Sequence, residues 1–143
     1  MRALFRGFCR NKNGKETIVV KGEKLNGDWV YWDEYGSMVD ENGSSTTYNV
    51  DMIRVVYVDT AKRLIIPETV GLYTSLVDRN REKVFEGDRI NCDIRRSIGT
   101  VVIENGNSAV DYDTPLYGII TDEILSYVKE FVRLGTKWDF KED

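Results

Sequence analysis

The chain has no histidine, and that absence removes more chemistry than any residue present supplies. Without imidazole there is no Ser-His or Cys-His pair, and the commonest general base and zinc ligand are both missing. There are two cysteines, Cys9 and Cys92, far apart in sequence. That is no disulfide framework, so both are expected as free thiols in a reducing compartment. Each alternates with apolar neighbours, which reads as core rather than as an activated nucleophile. Prolines number only two, Pro67 and Pro115. No run of 18 apolar residues occurs, so no membrane-spanning helix is expected. The opening Met1-Arg-Ala-Leu-Phe-Arg6 has charge without an apolar segment and does not read as a signal peptide.

What remains is 143 residues with three Trp, eight Tyr and five Phe, 41% hydrophobic and 31% charged, net charge −4. That suffices for one domain or two small modules sharing a core. Positive charge is uneven. Residues 1–24 carry seven Lys/Arg against two Asp/Glu, a local net of about +5 by count, inside an acidic whole.

Short strands and turns recur throughout. Residues 2–10 alternate, with Ala3, Phe5, Gly7 and Cys9 on one face and Arg2, Leu4, Arg6, Phe8 and Arg10 on the other. Asn11-Lys-Asn-Gly14 reads as a turn, so this strand and Thr17–Val20 are expected to form a hairpin. Asn26-Gly27 reads as a second turn, launching the aromatic strand Asp28–Tyr35, apolar on both faces. Residues 36–46 read as a polar loop, and strands are expected within 48–58 and 64–66. Pro67, lacking an amide hydrogen, is expected to end that run and mark a module boundary. Beyond it, strands are expected at 70–76, 83–85, 89–94, 99–104 and 109–112, the last two joined through Asn105-Gly106. Thr121–Ser126 reads as a short helix capped by Thr121, and 127–134 as a strand ending at Gly135. The fold expected is mainly β: an N-terminal sheet module (1–67) packed on a C-terminal small SH3-like or OB-like barrel (68–143), with at most one short helix.

Leu72-Tyr-Thr-Ser-Leu-Val-Asp-Arg-Asn-Arg-Glu-Lys-Val-Phe-Glu-Gly-Asp-Arg-Ile90 resembles the hallmark of the YopX family of phage and prophage proteins. That pattern runs roughly Tyr-Thr-Gly-Leu-x-Asp-x-Asn-Gly-x-x-Ile-Tyr/Phe-Glu-Gly-Asp. Leu4-Phe-Arg-Gly7, Asn26-Gly-Asp-Trp-Val-Tyr31 and Ile66-Pro-Glu-Thr-Val70 are similar to the segments that precede it, in the same order. Two positions depart: Ser75 and Arg81 stand where the pattern has glycine. Arginine is poor at positive φ, so the 78–81 turn is expected to be of another type, or slightly strained. The resemblance implies a β-rich protein with a barrel-like C-terminal part in a bacterial host's cytoplasm. It assigns no catalytic residue.

Candidate sites follow from residue type. Glu86-Gly87-Asp88 can be a carboxylate pair for a divalent cation, but reads better as a turn whose Asp88 bonds a backbone amide. Asp78 and Asn80 with Gly87 and Asp88 are thus expected as structural turn residues. A carboxylate-metal hydrolase would need Asp88, Asp111 and Asp113 to converge. Arg2, Arg6, Phe8 and Arg10 on one strand, and Trp29 with Tyr31 on another, are the candidate binding residues. The expectation is a non-catalytic binding module without metal or cofactor, whose partner is a host or phage protein or a second copy of itself. The alternative is nucleic-acid binding through the basic N-terminal strand.

Overall fold

Two-residue turns set the frame. Lys21 and Gly22 have φ of 51° and 80°, and Asn105 and Gly106 repeat those values. Positive φ at both central residues is the type I′ arrangement, whose twist matches that of the paired strands. The first turn joins β2 (Glu16–Val20) to β3 (Glu23–Asp33), and the second joins β8 (Ser97–Glu104) to β9 (Asn107–Leu116). The computed structural model describes residues 3–42, 44, 65–92, 96–116, 119–123 and 131–141, and among these every regular element is a strand. The expected strand within 48–58 lies outside the described residues.

The chain divides into two units, Met1–Leu72 with Trp138–Asp143, and Tyr73–Lys137. In the first unit β3 lies between β2 and β1 (Leu4–Arg10), and β1 pairs on its other side with β5 (Ile65–Val77). The short β4 (Met38–Val39) pairs with the end of β3. The hairpin expected between the first two strands is therefore replaced by β2–β3, with β1 across β3. Asn26-Gly27 is not a turn. It sits inside β3, where a Cβ on Gly27 would fall 2.0 Å from the carbonyl oxygen of Cys9. Glycine serves here for the close approach of two backbones.

Both faces of this sheet are covered, as the apolar pattern of 28–35 indicated. Cys9, Val30, Trp32, Met38 and Ile65 pack on one side, with Phe5 stacked on Trp32. Phe8, Ile18, Val20 and Ile66 pack on the other with Leu25, Trp29 and Trp138. The edge strand β2 is closed by the end of the chain. Val19 donates its amide to Trp138 O (2.7 Å), and Phe140 donates to Thr17 O (3.2 Å). An exposed row of backbone groups would otherwise be a template for mispairing.

Pro67 does not end its strand. The β1–β5 register shifts between Arg6 and Phe8, and Pro67 lies in the unpaired stretch of β5. The Thr69 hydroxyl completes the ladder there, accepting the Phe8 amide (2.9 Å) and donating to Ile66 O (2.6 Å). A bulge is the place where a strand tolerates proline.

In the second unit the five-stranded sheet runs in the order β10-β9-β8-β7-β11, with β7 at Asp88–Cys92, β10 at Ile119–Glu123 and β11 at Phe131–Thr136. The end of β5 pairs with β6 (Lys83–Phe85) across a second register shift. Val84, Ile90, Cys92, Val101, Val110, Tyr112 and Phe131 form the core. Thr121, expected to cap a helix, is instead in β10 opposite Asp111. Residues 124–126 of that expected helix lie outside the described residues. The acidic Thr-Asp-Glu start is compatible with either element, and pairing with β9 decides it.

Ser75 and Arg81 both adopt the left-handed conformation, with φ of 70° and 65°. Ser75 lies within the irregularity of the β5–β6 pairing, Arg81 at the turn after it. The turn thus keeps the conformation that glycine favours and carries the strain of a side chain. An L-residue there costs about 1–2 kcal/mol, against about 0.4–1 kcal/mol of extra unfolded-state freedom for glycine. Arg81→Gly is expected to stabilise by about 0.5–1 kcal/mol. A thermal melt should show its midpoint raised by about 1–3 °C; a fall would refute the strain.

Candidate functional site

The carboxylates singled out by sequence are consumed by the backbone. Asp78, buried, accepts through Oδ1 from the amides of Asn80 (2.8 Å) and Glu82 (2.9 Å), and through Oδ2 from Arg133 (2.8 Å). The Asp78 amide donates to Glu82 O, Arg81 to Asp78 O, and Arg79 to Phe131 O. One side chain thereby closes the turn and holds it along β11, one of the two edge strands of the sheet.

The same device occurs at Asp33, where Oδ1 accepts from Tyr35 and Ser37 (both 2.9 Å) and the Asp33 amide donates to Ser37 O. It recurs at Asp40, with Asn42 and Ser44 as donors and Ser44 O as acceptor. The sequences Asp33-Glu-Tyr-Gly-Ser37 and Asp40-Glu-Asn-Gly-Ser44 show it as a local repeat seven residues apart, a signal that periodicity-of-strand reasoning passes over. In the first turn Gly36 takes the left-handed position (φ 79°); in the third the residue is Arg81.

Asp88 is fully buried. Its Oδ2 accepts the Phe85 amide (2.8 Å) and lies 3.0 Å from Arg133 Nε, while Gly87 takes φ 92°. This is the turn chemistry expected for Glu86-Gly87-Asp88. On the opposite face of β7, Arg89 forms a two-pronged ion pair with Asp113 and also reaches Thr100 Oγ1 (3.0 Å). The pair holds the Asp113 carboxyl below and the Arg89 guanidinium above their usual ranges, through their mutual hydrogen bonds. Asp88 and Asp113 therefore face opposite sides of one sheet, and with Asp111 exposed on the outer side they do not converge. The described residues contain no group of three carboxylates or thiols placed to hold a metal.

The candidate binding strand is also repositioned. Arg6, expected on a basic surface, is only 2% exposed and lies over the Trp29 ring at 4.7 Å. Phe8 is fully buried and meets Trp29 edge-on. Arg10 is exposed; Trp29 and Tyr31 are half-buried; Arg2 lies outside the described residues. Alternation put Arg6 with Phe8 and, separately, Trp29 with Tyr31; the β1–β3 register, pairing Arg6 with Tyr31 and Phe8 with Trp29, brings the two pairs onto one face, and a second core layer covers it. A cation held on an indole face at low exposure stabilises as packing, by about 1–2 kcal/mol.

Both thiols are buried. Burial, with Asp28 adding to it, pushes the Cys9 thiol up to about 11. No helix among the described residues is long and apolar enough to cross a membrane. Comparison with models of protein families, with curated proteins and with solved structures found no match.

Two outcomes follow. Asp78→Ala strands three amides at once and is expected to cost about 2–4 kcal/mol, with Asp78→Asn intermediate. Urea unfolding midpoints measure both, and an unchanged midpoint for the alanine variant would show that water replaces the carboxylate. The Cys9 thiol, neutral in the fold, contributes stability that is complete below its unfolded value near 9 and is lost as pH rises toward about 11. Because both thiols are buried, Ellman's reagent at neutral pH is expected to react with neither cysteine until denaturant is added.

Proposed function

We propose that this chain is a YopX-like, phage- or prophage-encoded protein of the bacterial cytoplasm, acting as a non-catalytic binding or regulatory module through a protein partner or self-association. Two things support the lineage. The hallmark segment forms a strand-turn-strand, and the two positions where this chain replaces a glycine of the family pattern, Ser75 and Arg81, are the two within that segment where a non-glycine residue takes positive φ. A sequence pattern that demands glycine at 75 and 81 is the pattern this backbone needs.

The observation that carries the binding reading is apolar exposure on the five-stranded sheet. Ile98 is 41% exposed and Leu134 50% exposed. Ile98, Asn91 and Val132 form one cross-strand row, on the face away from Ile90, Val101 and Phe131, and Leu134 sits at the β11 irregularity beside it. Apolar side chains grouped on a sheet, next to the Arg89–Asp113 pair, have the makeup of a contact centre with a polar rim. The absence of histidine, the burial of both thiols and the use of Asp78 and Asp88 by backbone amides support a non-catalytic role. The interior position of Arg6 and Phe8 favours this reading over nucleic-acid binding through the N-terminal strand, which keeps Arg10 exposed among its described residues.

The test is a tagged pull-down from induced or infected cells with nuclease treatment, alongside light scattering of the purified protein. Ile98→Asp with Leu134→Asp is expected to abolish a nuclease-resistant co-purifying protein or a dimer while leaving the circular dichroism unchanged. If partner capture and mass are both unaffected by the double variant, this face is not the contact.

A further inference from the structure

We propose that Asn105-Gly106, at the tip of the β8–β9 hairpin, is a self-modification site, where the backbone closes on the Asn105 side chain to a succinimide that opens to aspartate or isoaspartate. The sequence holds four Asn-Gly pairs, at 13–14, 26–27, 42–43 and 105–106. The chemistry available to each is the same. The glycine amide nitrogen gives its proton to solvent base and attacks the asparagine Cγ. The bond from Cγ to the side-chain nitrogen breaks, and that nitrogen takes a proton and leaves as ammonia. Water then adds to one carbonyl of the ring. Opening at Cγ restores the chain as aspartate; opening at the main-chain carbonyl reroutes it through the side chain as isoaspartate. Only water is consumed, so the fold decides which pair reacts.

Turn geometry favours 105. The five-membered ring sets ψ of the asparagine at about −120°, the value at the first central residue of a type II′ turn. Asn105 stands at that place in a type I′ turn with φ 51°, and φ there is about +60° in both turn types. A flip of the one peptide unit between 105 and 106 therefore reaches the reactive form. It carries Gly106 from φ 80° to about −80°, and glycine takes either sign. Both turn types close two-residue hairpins, so the Glu104–Asn107 pair survives the flip. Asn105 and Gly106 are exposed, and a Cβ at 106 would meet nothing within 4 Å. The Gly106 amide, the nucleophile, donates to no backbone oxygen among the described residues.

Two of the other pairs are held. Gly27 is buried in β3, paired with Arg10 on one side and Glu16 on the other, and Asn26 Oδ1 accepts the Thr17 hydroxyl (3.0 Å). The Gly14 amide donates to Asn11 O (2.8 Å) and the Asn13 amide to Asn11 Oδ1 (3.0 Å), with Gly14 packed against the Gly27 backbone. Gly43 lies outside the described residues. Reaction at 13 or 26 must wait for these hydrogen bonds to open, whereas reaction at 105 needs only motion of an exposed tip. Isoaspartate there adds a methylene to the main chain of a two-residue turn and sets a new carboxylate beside the exposed Glu104.

The full chain, incubated in mildly alkaline buffer either folded or in denaturant and mapped by peptide mass spectrometry, tests this. In the folded protein Asn105 is expected to lose ammonia at least about tenfold faster than Asn13 or Asn26. In denaturant the three rates should converge. An endoprotease that cuts before aspartate but not before isoaspartate should leave part of the product at 105 uncut. Asn105→Gln, whose ring would have six members, should abolish the change in the hairpin peptide while keeping the folded circular dichroism. Equal rates at 105 and at 13 or 26 in the folded protein overturn the proposal. So does a product at 105 that is wholly aspartate, which marks hydrolysis without the ring, or a mass change in the hairpin peptide that persists in N105Q, which places the reaction at Asn107.

Discussion

A single buried carboxylate, that of Asp78, settles the hardest backbone problem in the second unit. The five-stranded sheet has two edge strands, β10 and β11, and the one it closes is β11. Its outward amide at Arg133 goes to Asp78 Oδ2 and its carbonyl at Phe131 to the Arg79 amide, while the other oxygen of Asp78 shapes the turn that brings them there. Turn conformation and edge closure are therefore one interaction. It also dictates the left-handed residue at 81, since the Asp78–Glu82 closure needs one at that point in the turn, as the Asp33–Ser37 closure does at Gly36.

The all-β class was legible because alternation and turn chemistry recur in nearly every segment. Connectivity was less so. Asn105-Gly106 and Asn26-Gly27 are the same dipeptide; one is a type I′ turn and the other lies within a strand. The difference is the neighbour: Cys9 approaches Gly27 so closely that only hydrogen fits, a contact made by a residue 18 positions away in sequence. Lys21-Gly22, a weaker turn signal, wins because the pairing of Ile18 with Leu25 buries the right face. Pro67 misled for a related reason, since the hydroxyl of Thr69 repairs a ladder that proline interrupts.

For the site, the structural turn residues were legible and the surface was not. Asp88 bonding a nearby amide follows from Gly-Asp turn chemistry and needs no long-range information. Arg6 does need it. Period-two alternation assigns a side chain to a face, but whether that face is wet depends on Trp29 and the packing around it. The Asp-centred turns at 33, 40 and 78 were within reach: an Asp followed four residues on by the residue whose amide bonds it back recurs three times, and the Gly-Ser ending shared by the first two is hidden at 78, where Arg81-Glu82 stands instead.

The closure of β2 by Trp138–Phe140 makes the second unit an insertion within the first. During synthesis, residues 73–137 must all be made before the segment that seals the β2 edge exists. The insert has its own core and its own edge cap, so it can fold while the surrounding unit still waits for its final strand partner. The order of emergence thus exposes the edge of β2 for longest, and the charged residues Glu16, Lys21 and Glu23 at and beside that strand are well placed to discourage pairing with other chains in the meantime.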